Sequence, residues 1–287
     1  MTTFGWLAQP AVLPWVALAF GLCIGSFLNV VIHRLPKMLE REWRAECASL
    51  AGVAAPEEAP LNLLTPRSRC PSCSHAIGAH ENIPLVSWLL LRGKCSSCGT
   101  RISAKYPLVE LLGGVGGALA AWQFGASLAA LGAALFVWFT IALAFIDQET
   151  GLLPDDLTLP LLWTGLVVNL GGAFVPLAEA VLGALVGYLS LWSVYWAFKL
   201  ATGKDGMGYG DFKMNAAVGA FLGWKMLPLV ILLSSFVGLI FGAAQMFAAR
   251  GKWEAGFRFH FGPYIAMAGI VALYWGEPIV RWYVQRL

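Results

Sequence analysis

Long apolar runs alternate with short polar segments over most of the sequence. A helix that crosses a bilayer needs roughly 20 apolar residues, and eight runs reach or approach this length. The pattern predicts an all-α polytopic membrane protein with about eight transmembrane helices, of which the sixth and the eighth are short. The runs extend from Ala11 to Ile32, Pro107 to Phe124, Leu128 to Ile146, Leu157 to Ala173, Leu177 to Phe198, Phe212 to Leu222, Leu227 to Ala248 and Phe261 to Tyr274.

The composition supports this fold class. Hydrophobic residues make up 59% of the chain and charged residues 12%, which is about half the charged share of roughly 25% in soluble domains. Such a composition excludes an ordinary soluble domain and a basic surface for nucleic acid. We therefore expect a lipid bilayer around the chain and no nucleic-acid partner.

The segment from residue 33 to residue 105 departs from the apolar pattern. It carries ten of the nineteen Lys and Arg residues and two closely spaced pairs of cysteines. We interpret it as an extramembrane domain between the first and second transmembrane helices. The predicted organisation is a first transmembrane helix within residues 1–32, a loop domain at 33–105 and a seven-helix membrane domain at 106–287.

The basic residues predict the orientation, because Lys and Arg are retained on the cytoplasmic side of membranes. If residues 33–105 are cytoplasmic, alternating crossings leave only three of the nineteen basic residues on the opposite side. The sixteen cytoplasmic residues then include Arg250, Lys252 and Arg258, between the seventh and eighth helices. We expect a periplasmic N-terminus and a cytoplasmic loop domain.

The loop domain contains two CxxC sequences, CPSC at Cys70 to Cys73 and CSSC at Cys95 to Cys98. Each CxxC turn directs two thiolates towards one ion, and two such turns complete a tetrahedral set of sulfur ligands suited to zinc. Two disulfides or a redox-active thiol pair are the alternatives, but a reducing cytoplasm disfavours stable disulfides. We predict structural zinc, since four thiolates leave no position for a catalytic water. The ligands would be Cys70, Cys73, Cys95 and Cys98.

Two aspartates stand at the ends of apolar runs, where an ionisable group indicates a functional site. Asp147 follows the third run, and Asp211 begins the sixth. The two-helix hairpin between them returns the chain to the same side of the membrane, so the two carboxylates could meet. Carboxylates held close together cannot both ionise, and such a pair can act as general base and general acid when water attacks an amide. The alternative is that the aspartates cap helices, the interpretation we prefer for Asp155 and Asp156.

The positions of the two aspartates at helix termini also predict which carboxyl group is ionised and which is protonated. Asp147 would lie at a helix C-terminus and Asp211 at a helix N-terminus, where the partial positive charge favours an anion. We therefore expect Asp211 to activate water and Asp147 to carry the proton.

Several further segments accompany the cysteine pairs and the aspartates, namely GSFLNVVIHRLP at Gly25 to Pro36, ENIPLVSWLLLRGKC at Glu81 to Cys95, YPLVEL at Tyr106 to Leu111, the segment Ile146 to Asp155, and GYGD at Gly208 to Asp211. Taken in order with the two CxxC pairs, these segments resemble the type IV prepilin peptidases, membrane aspartic proteases of the GxGD class. The resemblance implies that Asp147 and Asp211 are the catalytic pair of an endopeptidase in the bacterial inner membrane. Its substrates would be type IV prepilins or the pseudopilins of type II secretion, cut after a glycine at the cytoplasmic face to remove a basic leader.

The resemblance implies a second activity, in which the new N-terminal residue of the pilin is methylated with S-adenosylmethionine. The family places this activity in the cytoplasmic loop, where Gly93 is a candidate for binding the methyl donor and Glu81 and Asn82 are further candidates. For Glu81, a solvated loop carboxylate is an equally good interpretation.

A proton-coupled metal transporter is the alternative from another class of protein. In that case the aspartates would relay protons and the tetracysteine loop would sense the metal. Transporters tend to carry polar groups at the membrane midplane and internal repeats. Here the aspartates lie at predicted helix ends and no long repeat is visible, so we prefer the peptidase.

Overall fold

The computed structural model describes residues 9–54, 58–248 and 260–286; Arg250, Lys252 and Arg258 lie outside these ranges. Within them the chain is helical, with two isolated β-bridges in the loop domain and no strand. The predicted all-α fold is confirmed. Eight helices within the described ranges have at least 14 residues, namely α1 (Leu13–Leu50), α3 (Lys105–Phe124), α4 (Leu128–Thr150), α5 (Asp155–Leu170), α6 (Leu177–Thr202), α7 (Tyr209–Leu222), α8 (Leu227–Ala248) and α9 (Gly262–Val284). The loop domain adds a short helix α2 (Val86–Leu90) and a 3-10 helix (Ala79–Asn82).

Five helical segments of the described chain are long and apolar enough to cross a membrane, which confirms a multi-pass membrane protein. They are α1, α4, α6, α9 and the segment Trp224–Ala244, which contains most of α8. Helices α3, α5 and α7 have 20, 16 and 14 residues. At 1.5 Å per residue, α7 is about 21 Å long, against a hydrocarbon core of about 30 Å. The number of eight crossings therefore stays a prediction.

The first helix does not end with its apolar run. It was predicted to end at Ile32 but continues to Leu50, and the left-handed Gly52, with φ 67°, follows its end. The residues beyond Ile32 are rich in Glu, Arg, Leu and Ala, which are good helix formers. The change from apolar to polar residues therefore marks where the helix leaves an apolar environment, and the chain remains helical across it. Helix α9 likewise extends past its predicted end at Tyr274 to Val284.

The chain forms two compact units, residues 1–122 and 123–287. The first unit contains α1, the loop domain and most of α3. Within it α1 and α3 approach each other so closely that a Cβ on Gly21 would lie 2.5 Å from the carbonyl oxygen of Gly113. The second unit contains α4 to α9 and therefore both Asp147 and Asp211. The predicted division at residues 33 and 106 stays a prediction.

In the second unit, α5 and α9 each pack against both α4 and α7, the two helices that carry the aspartates. Phe136, Phe212 and Phe221 are fully buried at the centre of this unit. The side chain of Asn169, in α5, donates to the carbonyl oxygens of Ala220 (2.9 Å) and of the residue after it in α7. Helix α5 thus holds α7 by hydrogen bonds as well as by apolar contacts.

The backbones of α6 and α7 are in direct contact. A Cβ on Gly183 would collide with the carbonyl oxygen of Gly219, and a Cβ on Gly219 would collide with the carbonyl oxygen of Gly183. The side chain of Asn215 donates to the carbonyl oxygen of Gly187 at 2.8 Å beside this contact. Glycine at these positions lets two membrane helices approach each other, as expected from the glycine-rich sequence.

Candidate active site and tetracysteine centre

Asp147 lies in the last turn of α4, which ends at Thr150 and not at Ile146 as predicted. Gly151 ends the helix in the left-handed conformation, with φ 70°, and its N–H donates to the carbonyl oxygen of Asp147 at 2.8 Å. This is a common helix ending because glycine adopts that conformation without steric cost. The side chain of Asp147 is only 5% exposed, so the carboxylate is enclosed at the end of an apolar helix.

Asp211 lies in the first turn of α7, directly after the glycine-rich segment. The N–H of Gly208 donates to its Oδ2 at 3.2 Å, and the side chain is 7% exposed. The other oxygen, Oδ1, is buried and has no hydrogen-bond partner among the described residues. Buried polar atoms are normally hydrogen-bonded, so Oδ1 offers an unused acceptor to a water molecule or a substrate group.

The structure brings these two carboxylates together. Asp147 and Asp211 lie close enough for the charge of one to act directly on the other. Helices α5 and α9 both contact α4 and α7, and they hold these two helices, which carry the aspartates, next to each other. We call Asp147 and Asp211 the dyad. Their catalytic role stays a prediction.

The start of α9 also reaches the dyad, a feature that the sequence analysis missed. The N–H of Gly262 donates to Oδ2 of Asp147 at 3.0 Å, and this bond is buried. A Cβ on Gly262 would lie 2.8 Å from the same oxygen, so a side chain here would push against the carboxylate. The Gly-Pro pair in FGPY is a signal for a helix start, but it does not reveal a partner in another helix.

Leu153 lies between the segments that carry the dyad. A Cβ on Gly210, the residue before Asp211, would be 2.6 Å from the Cβ of Leu153. A Cβ on Gly262 would be 3.1 Å from Cδ2 of Leu153. The LLPDD segment therefore places an apolar side chain beside the dyad.

Asp155 and Asp156 lie in the exposed first turn of α5, as predicted, although neither side chain caps the helix by a hydrogen bond. That they take no part in catalysis stays a prediction. Both carboxylate oxygens of Asp155 accept hydrogen bonds from Nζ of Lys213, at 2.6 and 2.7 Å. Lys213 is in the second turn of α7. This ion pair therefore ties the start of α5 to the helix that carries Asp211.

The four cysteines of the loop domain form one cluster. Their Sγ atoms all lie within 4.8 Å of one another; Cys70 and Cys98 are 3.8 Å apart, and Cys73 and Cys95 4.0 Å. Sulfurs around a tetrahedral zinc with Zn–S of about 2.3 Å are about 3.8 Å apart, whereas disulfide sulfurs are about 2.05 Å apart. The geometry therefore fits one tetrahedral metal ion and not two disulfides.

The two CxxC turns have the same backbone structure. In each, the N–H of the first cysteine donates to the residue five positions later, and the residue four positions later donates back to the carbonyl of that cysteine. In the second turn, the hydroxyl and N–H of Thr100 lower the pKa of Cys98 to about 6, which favours the thiolate that binds metals. In the first turn these backbone bonds run from the N–H of Cys70 to the carbonyl of His75 and from the N–H of Ser74 to the carbonyl of Cys70. In the second they run from Cys95 to Thr100 and from Gly99 to Cys95, and all four are between 2.9 and 3.0 Å long.

Glu81 connects the two CxxC turns. Its Oε2 accepts a hydrogen bond from the N–H of Gly78 at 2.8 Å and lies 3.3 Å from Nε2 of His75, which follows the first cysteine pair. Its Oε1 accepts from the hydroxyl of Ser96, inside the second pair. These partners, the Ser96 hydroxyl foremost, lower the pKa of Glu81 to about 2. Its side chain is 12% exposed, so Glu81 is not a solvated loop carboxylate, and both of its oxygens are engaged within the domain.

The other two candidates for binding the methyl donor lie in the same loop domain. Gly93 has φ 66°, and a Cβ there would lie 2.9 Å from the ring of Trp88. Its carbonyl oxygen accepts from the N–H of Ile102 at 2.8 Å. Asn82 ends the 3-10 helix and is exposed. Their role in binding a methyl donor stays a prediction.

Two family models match most of the sequence. Residues 19–124 match the bacterial peptidase A24 N-terminal domain, and residues 134–243 match the type IV leader peptidase family. The first match covers the tetracysteine loop, and the second covers both members of the dyad.

Curated relatives match over nearly their whole length, and each is named prepilin leader peptidase/N-methyltransferase. The protein from Aeromonas salmonicida is 54% identical over 96% of this chain and 96% of the relative. The one from Aeromonas hydrophila is 55% identical over 95% of each chain. The one from Pseudomonas aeruginosa is 50% identical over 97% of this chain and 96% of the relative. No solved structure matches the chain.

Proposed function

We propose that this chain, which belongs to the type IV leader peptidase family, is a membrane aspartic endopeptidase and N-methyltransferase. It removes the leader from type IV prepilins or type II secretion pseudopilins and then methylates the new N-terminal residue. The observation that carries the proposal is the buried dyad of Asp147 and Asp211, which sits among otherwise apolar helices.

The peptidase reaction needs one ionised and one protonated carboxyl group, and two close carboxylates adopt this arrangement. The ionised group takes a proton from water while the water oxygen bonds to the carbonyl carbon of the scissile amide. The protonated group gives its proton to the carbonyl oxygen. A proton then passes to the amide nitrogen and the C–N bond breaks, which leaves a leader carboxylate and a pilin amine. The N–H groups of Gly208 and Gly262 orient the two carboxylates.

For the location, we propose the bacterial inner membrane, with a periplasmic N-terminus and a cytoplasmic loop domain. The sixteen-to-three distribution of basic residues between the two sides supports this orientation. A prepilin has a basic leader in the cytoplasm and an apolar helix in the membrane, so the bond after its glycine lies at the cytoplasmic face. In this orientation Asp147 and Asp211 are at the cytoplasmic ends of their helices.

For the tetracysteine cluster, we propose zinc. The separations between the four sulfur atoms support this metal. Zinc would be held by Cys70, Cys73, Cys95 and Cys98 and would join the two CxxC turns, with no open coordination position for chemistry. Its contribution is therefore to the folding of the loop domain.

For the methyl donor, we propose S-adenosylmethionine, on the basis of the names of the relatives. When bound it would supply a methyl group on a positively charged sulfur. Gly93 and Asn82 remain candidates for holding it. Glu81 fits this role poorly, because its oxygens already accept from Gly78 and Ser96 and face His75.

Mass spectrometry of the reaction products tests the proposal. Purified chain in detergent is incubated with a prepilin and S-adenosylmethionine, with Asp147→Asn as the inactive control. We expect a pilin that has lost its leader and gained one methyl group. Intact prepilin with the wild-type chain, combined with proton-driven metal uptake by liposomes that contain it, would instead support the transporter.

A further inference from the structure

A carboxylate outside the dyad lies between α1 and α3. Glu110, in the second turn of α3, accepts a hydrogen bond from the N–H of Leu85 at 2.8 Å and another from the hydroxyl of Ser26. Helix α1 is so close that a Cβ on Gly25 would lie 2.6 Å from the Cα of Glu110. The sequence predicts that α3 crosses the membrane, and an ionisable group in such a helix is costly and indicates a functional site.

The partner of Glu110 in the loop domain has a strained backbone. Leu85 has φ 60° and ψ −46°, a region that bulky residues rarely adopt. Such strain persists where the surrounding structure enforces it, and it is concentrated at functional sites. The hydrogen bond to Glu110 helps to enforce it here.

The same segment leads to Gly93, a candidate residue for methyl transfer. Leu85 immediately precedes α2, and Trp88 within α2 packs against Gly93. The N–H of Gly93 donates to the carbonyl oxygen of Trp88 at 2.8 Å. Glu110 is therefore joined to Gly93 through a short, continuous, hydrogen-bonded segment.

We propose that Glu110 binds the α-amino group of the newly cleaved pilin and accepts its proton for methyl transfer, an inference that rests on the proposed function. A carboxylate has about four acceptor sites, so the bonds from Leu85 and Ser26 leave capacity for an amine. Glu110 lies about 7.5 Å along α3 from its start at Lys105, near the loop end of the helix.

The chemical step explains why a carboxylate is needed. A terminal α-amine has a pKa of about 7.7–8.0 and is mostly protonated at neutral pH, whereas only the neutral nitrogen is a nucleophile. The ammonium gives one proton to the carboxylate of Glu110. The nitrogen lone pair then bonds to the methyl carbon while the bond from that carbon to sulfur breaks. The bonding electrons stay on sulfur, and the positive charge moves to the methylated nitrogen.

Glu110→Gln removes the charge and keeps the shape of the side chain. The amide oxygen can still accept from the N–H of Leu85, and the hydroxyl of Ser26 can donate to the amide oxygen or accept from the amide nitrogen. Cleavage and methylation are measured in one reaction by mass spectrometry, with Glu40→Gln, a surface carboxylate of the same unit, as the matched control. We expect unchanged cleavage and a methylation rate about 100-fold lower at neutral pH. Raising the pH to about 9 should restore methylation, since the solvent then removes the proton from the amine. Glu110→Asp, which keeps the charge, should methylate faster than Glu110→Gln.

Several results would overturn this inference while the proposed function stands. One is normal methylation by Glu110→Gln; another is a defect that high pH does not restore. A parallel loss of cleavage and zinc would make Glu110 a structural residue. Weaker binding of S-adenosylmethionine to the peptide-free variant, measured by calorimetry, would make it part of the methyl-donor site. If the wild-type chain itself does not methylate, the proposed methyltransferase function fails, and this inference with it.

Discussion

The backbone N–H of Gly262 donates a hydrogen bond to Oδ2 of Asp147, although the two residues are 115 positions apart in the sequence. Gly208 provides Asp211 with a donor of the same kind. Both carboxylates are therefore held by the N–H of a glycine at a helix start. The partial charges at the helix termini predict that only Asp211 is stabilised as an anion. Because Asp147 also accepts from a backbone N–H, these charges do not decide which aspartate activates water.

Gly262→Ala should lower kcat for leader cleavage about 100-fold, the cost of displacing a catalytic group by about 1 Å. The new methyl group would lie 2.8 Å from Oδ2 of Asp147. KM should change little, because no substrate contact is removed. Gly269→Ala in the same helix is the matched control, since its methyl group would meet the ring of Phe136 at 3.0 Å and not the dyad. A normal kcat for Gly262→Ala would show that its N–H does not position Asp147.

Asp147→Asn and Asp211→Asn should each abolish leader cleavage while zinc content and helical signal remain. Asp155→Asn should retain cleavage, because it removes an exposed ion pair with Lys213 that contributes roughly 0.2–1 kcal/mol. Asp156→Asn should also remain active. The measurement is cleavage of a prepilin on a gel. Cleavage by either dyad variant at close to the wild-type rate would mean that another carboxylate is catalytic.

Cys98→Ser should lose the metal and make residues 67–105 sensitive to proteases, because metal binding and folding of such a domain are coupled. Cys47→Ser is the control, since this cysteine lies in α1 outside the cluster and is exposed. Elemental analysis should give about one zinc per wild-type chain and the same for the control. Less than about half an equivalent in intact wild-type protein would refute the zinc site.

A reporter enzyme inserted within residues 54–60 should show cytoplasmic behaviour. The same reporter between α5 and α6, near Ala173, should show periplasmic behaviour, because α3, α4 and α5 are three successive predicted crossings. The pattern of alkaline phosphatase and β-galactosidase activities distinguishes the two sides. The opposite pattern would invert the orientation and separate the dyad from the position of a prepilin leader.

The sequence predicted most helix positions because a single signal, the apolar run, determines them. Both ends of α8, at Leu227 and Ala248, are as predicted. The apolar run predicted the wrong end for α1. It shows where a helix has an apolar environment, whereas the polar residues beyond Ile32 still form helix as far as Leu50. A helix therefore enters the loop domain where the sequence suggested a boundary.

The meeting of the two aspartates could also be predicted, since it follows from the number of crossings between them. The contribution of Gly262 could not, because a backbone N–H has no side-chain signature and its partner lies in a different helix. The position of Leu153 beside the dyad could not be predicted from the sequence for a similar reason. One leucine among many does not indicate that two glycines from separate segments pack against it.

The contact between Gly183 and Gly219 has a consequence for how a substrate reaches the dyad from the lipid. A pilin helix is about 10 Å across with its side chains, whereas the main chains of α6 and α7 touch at this point. To pass between them it would have to separate the two helices and break the bond from Asn215 to Gly187. Lateral passage is closed on this side, and a substrate helix has to approach Asp211 along another face of α7.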